Sequence, residues 1–311
     1  MGRRENLKAL AVLAALYALG AAFQHAFNPY LQDVARSFAI NAVLALGLNL
    51  IIGFTGLFSL GHAGFLAIGA YVTAALLDWG AGAGYPAAVL FPVAAVAAAA
   101  SCAVAGVAIG VPTLRLRGDY LAMATLGFAE IVRVVIMNFD AVGGARGFST
   151  PFAMTAKDVG AGFVVAGLTY FLLKNLTESS RGKAFLAIRE DETAAASVGI
   201  AVTKFKVAAF GVGAAFAGVA GFMTATYKVY LHPDSFGFVR SFEVIVMVIL
   251  GGMGSLVGSV VAALVLTITP EILRVVGFPE ERMIIYAVLL VVLMLVRPQG
   301  LLGKKVTKGA A

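Results

Sequence analysis

Apolar residues fall into blocks separated by short polar or glycine-rich stretches. A bilayer core takes ~20 apolar residues per helix, so each block reads as a span. The blocks lie at residues 7–27, 38–53, 57–77, 87–111, 120–138, 159–176 and 205–227, with two more inside 242–269 and another at 283–296. The pattern predicts an all-α polytopic membrane protein with about ten transmembrane helices, forming a single domain over residues 1–311. The first block follows Arg3 and Arg4 as a secretory leader does. No small-x-small cleavage site leads from it into polar sequence, so it is expected to be retained as a span.

Two apolar stretches, 38–77 and 242–269, are broken at glycine clusters: GFTGLFSLGHAG at 53–64 and GGMGS at 251–255. Interrupted segments in two halves of a chain point to a solute path built from discontinuous helices. Non-helical backbone survives at membrane depth only where protein or a water-filled cavity satisfies it. The candidate path takes in Asn49, Thr55, Ser59 and His62 at the first break, and Gly251, Gly252 and Gly254 at the second. Close packing of helices through small residues is the alternative. Asn41 and Asn49 are either pore lining or interhelical hydrogen-bonding groups. His62 either caps a helix end, bonding a freed carbonyl, or meets the solute. Glu130 and Arg133 share a face of one span. Charges inside a membrane are costly and usually functional, so this pair is a structural lock or part of the path.

Between the spans at 159–176 and 205–227 lies a polar island, TESSRGKAFLAIREDETAAASVGIAVTKFK. An amphipathic helix is expected over 188–198, closed by Gly199. Glu190, Asp191 and Glu192 fall in its first turns, where the helix dipole favours acids. Three consecutive acids suit an anionic lipid surface poorly, which favours a protein partner.

Composition narrows the field. The chain is 61% hydrophobic and 13% charged, where soluble domains carry about 25% charged residues. The net charge of +7 comes without a basic stripe interleaved with aromatics, so nucleic acid is not expected as a partner. If the N-terminus is inside, then Arg115, Arg117, the island and the basic tail all fall inside, which predicts two cytoplasmic termini. No G-x-x-x-x-G-K-[ST] loop occurs, so the chain does not hydrolyse ATP by that route. His25, His62 and His232 lack metal-ligand spacing, Cys102 is alone, and no G-x-S-x-G elbow is present. No catalytic residue, metal or bound cofactor is expected.

Several segments together resemble the LivM-type permease subunits of bacterial ABC importers for branched-chain amino acids. They are NLIIGFTGLFSLGHAGFLAIGAY (49–71), GDYLAMATLGFAEIVRVV (118–135), GGARGFS (143–149), SSRGKAFLAIREDETAAASVGI (179–200), ILGGMGSLVGSVVAA (249–263) and RPQGLLG (297–303). The resemblance implies a permease in the bacterial inner membrane. Its partners would be a second homologous permease, two cytoplasmic ATPases that bind the ATP, and a periplasmic amino-acid-binding protein. The loop with Arg146 is a candidate contact for that binding protein. The resemblance also implies that residues 177–204 form a cytoplasmic coupling loop that docks on an ATPase through Arg189, Glu190, Asp191, Glu192, Ala194, Ala195 and Gly199. Relatives mark this loop with E-A-A-x-x-x-G; here Thr193 stands where the Glu would be, and Glu192 is one place earlier. Urea or amide permeases share similar segments and stay open as an alternative, as does an ion-coupled secondary carrier.

Overall fold

Caps and prolines fix where many of the helices begin. Asn28 accepts a hydrogen bond from Leu31 N at 3.1 Å, and Pro29 supplies the first helical residue of α2 (Pro29–Asn49). The region 28–37, expected as a loop, is therefore mostly helical and extends the second span outward. Asp158 caps α6 (Val159–Glu178) by accepting from Gly160 N at 2.8 Å. Ser179 caps α7 (Ser180–Glu190) in the same way. The computed structural model describes residues 3–113, 116, 118–150, 158–276, 284–285, 288 and 300–302.

The remaining helices are α1 (Arg3–Ala26), α3 (His62–Gly82), α4 (Ala87–Thr113), α5 (Asp119–Met137), α8 (Glu192–Ser197), α9 (Val202–Tyr227), α10 (Phe238–Gly251) and α11 (Leu256–Val276). A π turn, Leu50–Phe54, closes α2, and two short strands, β1 (Phe148–Ser149) and β2 (Tyr230–Leu231), pair antiparallel. The protein is an all-α polytopic membrane protein.

Eight helices among the described residues are long and apolar enough to cross a membrane, fewer than the ten expected. The shortfall has two sources. α10 has 14 residues, too few to span, because Gly252 turns the chain at φ +104 before the helix reaches full length. The expected span at 283–296 lies mostly outside the described residues, as do Arg115 and Arg117. α3 begins at His62 rather than near 57, since residues 55–61 are non-helical. α4 continues through Pro92 and Pro112 to Thr113 instead of stopping before the second proline, as transmembrane helices tolerate.

α9 packs against α2, α3 and α4 at the centre, α11 lies along α2, and α1 lies outside against α6. Lipid tails supply no hydrophobic force between helices, so close van der Waals contact must do so. The α3–α9 crossing depends on small residues: a Cβ on Gly69 would stand 2.6 Å from Gly218 O. α2 is almost wholly buried from Ala39 onward. The α7–α8 unit sits at one end of the bundle, and the 230–237 loop, reached where α9 ends, sits at the other.

Candidate functional site

The island does not fold as one helix. Asp191 takes an extended conformation (φ −155, ψ 111) and accepts from Thr193 N at 2.8 Å and Ala194 N at 3.0 Å. It ends α7 and caps α8, so the helix expected over 188–198 is split at Asp191. Gly199 closes α8 at φ +86, in the left-handed region glycine favours. Each acid is occupied. Glu190 pairs with Arg189 at 2.6 Å, Asp191 is the cap, and Glu192 pairs with Lys206 at 2.7 Å. The Lys206 side chain is only 9% exposed, so this pair moors α8 to the second turn of α9. Ala195 is buried, while Thr193, Ala194, Ala196, Ser197 and Val198 face outward. Val198 is 76% exposed, an apolar tip at the end of a short small-residue helix.

Arg189 is partly exposed, and its guanidinium spans from Glu190 at the surface to the end of the bundle. Its Nη1 donates to Gly53 O at 2.7 Å, at the first glycine break. A Cβ on Gly254, in the second break, would lie 3.0 Å from the same nitrogen. Asn49 ties the two breaks together: its Nδ2 donates to Ser255 O at 3.0 Å and Ser259 Oγ at 2.8 Å, and its Oδ1 accepts from Gly254 N at 2.9 Å. A side chain on Gly53 would strike Asn49 Oδ1 and Gly254 N. The end of α7, the π turn of α2 and the α10–α11 turn therefore meet at one node. Leu301 N and Leu302 N donate to Leu250 O and Gly251 O beside Gly252, bringing the 300–302 segment to the same turn.

Above the node, α2 and α11 share a polar seam. Asn41 donates to Thr267 Oγ1 at 2.8 Å, two turns along α2 from the Asn49–Ser259 bond. Both asparagines thus serve as interhelical hydrogen-bonding groups. Thr55 Oγ1 donates to Leu50 O at 2.9 Å and satisfies a carbonyl of the π turn. Ser59 Oγ accepts from Gly61 N at 3.4 Å in the non-helical stretch. His62 is fully buried beside α2, at Gly47 and the Leu44 backbone, and among the described residues neither ring nitrogen makes a hydrogen bond of ordinary geometry. At the start of α3, Ser241 Oγ accepts from Ala63 N at 3.1 Å.

Glu130 and Arg133 lie away from the node. Arg133 Nε donates to Glu130 at 2.8 Å, and its Nη1 donates to Asp234 Oδ1 at 2.8 Å. The pair ties the far half of α5 to the 230–237 loop. Sequence patterning does not single out Lys206, Arg240 or Glu243. Arg240 Nη1 donates to Glu243 at 3.0 Å and Nη2 donates to Asn41 Oδ1 at 2.6 Å. The signal was available: Arg240 and Glu243 have the same i,i+3 spacing as Glu130 and Arg133, at the head of an apolar stretch.

The family model for the permease component of branched-chain amino acid transport systems matches residues 30–294. The chain is 37% identical to the high-affinity branched-chain amino acid transport system permease protein LivM of Escherichia coli, over 93% of this chain and 74% of that protein. Against LivM of Salmonella typhimurium the identity is 36% over the same shares. It is also 30% identical to the LivH permease protein of Escherichia coli, over 40% of this chain and 41% of that protein. No solved structure matches it. A multi-pass helical bundle with two glycine-broken segments, matched over most of its length by transport permeases, belongs to the branched-chain amino acid transport system permease family.

Proposed function

We propose that this chain forms one half of the membrane path of an ATP-driven importer for branched-chain amino acids, paired with a second homologous permease. Two cytoplasmic ATPases bind the ATP, a periplasmic binding protein delivers the solute, and the assembly sits in the inner membrane with both termini of this chain in the cytoplasm. The local likeness to LivH as well as LivM supports a pair of related permeases. The observation that carries the energy-coupling part is Arg189, which belongs to the α7–α8 unit and holds Gly53 O of the first break beside Gly254 of the second. When the ATPases close and push α8, the push reaches both broken segments through that guanidinium.

The docking face is the outward side of α8, Thr193, Ala194, Ala196 and Val198, and not Ala195, which is buried. Val198→Asp is expected to abolish copurification of the ATPases while the chain still inserts in the membrane. Undiminished association of that variant contradicts the docking assignment. Gentle purification of the wild type followed by mass spectrometry checks the whole composition. Leucine uptake by this chain alone, driven by an ion gradient in liposomes, favours the secondary-carrier alternative. Glu130, the acid such a carrier would titrate, is already paired with Arg133.

A further inference from the structure

At the end of the bundle opposite α8 is a cavity of about 360 Å³ between the first half of α2, the start of α3, the end of α9, the 230–237 loop and the head of α10. It lies in the size range of small-molecule sites, roughly 300–1,000 Å³. Four charged residues line it: Lys228, Asp234, Arg240 and Glu243. Ile40, Leu66, Phe236 and Val239 supply an apolar wall. A cavity with two cations, two acids and one aliphatic side is unusual in a protein whose composition is otherwise apolar.

The four charges sum to zero, but they are not all paired with one another. Glu243 is matched by Arg240 at 3.0 Å, and Asp234 is matched from outside the cavity by Arg133 at 2.8 Å. That leaves Lys228 over, with no ion-pair or hydrogen-bond partner for its ammonium among the described residues. Its surroundings penalise the charge: burial in the cavity, and then the nearby Arg240 guanidinium, hold Lys228 below the ordinary lysine value, with Glu243 opposing. An anionic group between Lys228 and Arg240 would relieve both effects. Glu243 presents its second oxygen, Oε1, which accepts no hydrogen bond among the described residues.

We propose that this cavity is the first site for the solute inside the permease, taking an aliphatic amino acid as a zwitterion. The carboxylate sits between Lys228 and Arg240, the ammonium lies toward Glu243 Oε1, and the side chain lies on Ile40, Leu66, Phe236 and Val239. The inference rests on the reading of the chain as an amino-acid permease and adds where the solute is held. One turn before Leu66 on α3 is the buried His62, and the Asn41–Asn49 seam leads on to the glycine node.

The test is saturation binding of radiolabelled L-leucine to the assembled importer in nanodiscs, with neither binding protein nor ATP. Two competitors divide the ligand: isoamylamine lacks the carboxylate and 4-methylpentanoate lacks the ammonium. Both are expected to compete at least about tenfold more weakly than leucine, the scale of one lost charge-assisted hydrogen bond. Lys228→Met is expected to weaken leucine binding by about tenfold or more, Lys228→Arg to keep most of it, and isoamylamine competition to be the same in Lys228→Met as in the wild type. Among the described residues Lys228 holds no other side chain, so its replacement is expected to leave the fold intact. Unchanged leucine binding by Lys228→Met, competition by 4-methylpentanoate equal to that of leucine, or no saturable binding by the wild type each overturns the site. Leucine uptake by the wild-type importer with binding protein and ATP separates the two levels. If uptake persists while the site fails, only the cavity assignment falls; if uptake is absent, the importer reading falls with it.

Discussion

At the scale of single residues, Arg189 and Asn49 decide most about how the two breaks are held. A guanidinium reaches a carbonyl and keeps further donors for a second partner, which a lysine ammonium does with less geometric control. Arg189 uses this to hold Gly53 O and Glu190 together. Arg189→Met is therefore expected to leave ATPase association intact and lower leucine uptake about tenfold or more, since a hydrogen bond from a charged group is lost. Parallel loss of association and uptake would make Arg189 part of the docking surface instead. Asn49 is buried and makes three hydrogen bonds across the breaks. Interhelical hydrogen bonds in membranes are worth about 0.6–2 kcal/mol each. Asn49→Leu also leaves Gly254 N without its acceptor, so a loss of about 2 kcal/mol or more is expected in reversible unfolding from mixed micelles.

At the scale of elements, α8 is too short to be stable alone, because isolated helices need roughly 12–15 residues. It is held by the Asp191 cap at one end, Gly199 at the other and the Glu192–Lys206 pair along its side. Glu192→Ala strands the nearly buried Lys206 ammonium. Because Glu192 is itself about a third exposed, the expected cost is about 1–2 kcal/mol and not that of a fully buried pair. Local opening of the 177–204 loop should then raise its rate of tryptic cleavage about tenfold, and the swap Glu192→Lys with Lys206→Glu should restore resistance. If the swap fails to restore it, Glu192 acts on the loop other than through this pair.

At the scale of the whole molecule, α8 and the 230–237 loop lie at opposite ends of α9, and the proposed orientation puts α8 inside. Cys102 is fully buried and its thiol donates to Phe65 O at 3.1 Å, so the wild type should resist a membrane-impermeant maleimide from both sides. Val198 and Val229 are exposed at opposite ends of α9. Val198→Cys should label only in inside-out vesicles and Val229→Cys only in right-side-out ones. Labelling of Val198→Cys from outside would invert the proposed orientation and remove α8 from the reach of any cytoplasmic ATPase.

Hydropathy by itself determined the class of protein, most of the spans and both glycine breaks. Lipid demands long apolar runs, and these are local properties of the chain. The segments that resemble branched-chain permeases were equally legible, and the family match over residues 30–294 covers all of them except 297–303. The partners of the polar groups were not legible. Asn49 meets Ser259 from 210 residues away and Arg189 meets Gly53 from 136; such pairings follow from helix register and crossing, which no local window contains. The same holds for the split of the expected 188–198 helix at Asp191, where a cap outweighed continuous helical pattern, and for the inward turn of Ala195. Only the tertiary structure brought Lys228, Asp234, Arg240 and Glu243 around one cavity, because the 230–237 loop folds back against α3 and α5 to join them. The composition marked a polytopic membrane protein; the packing decided where its charges face each other.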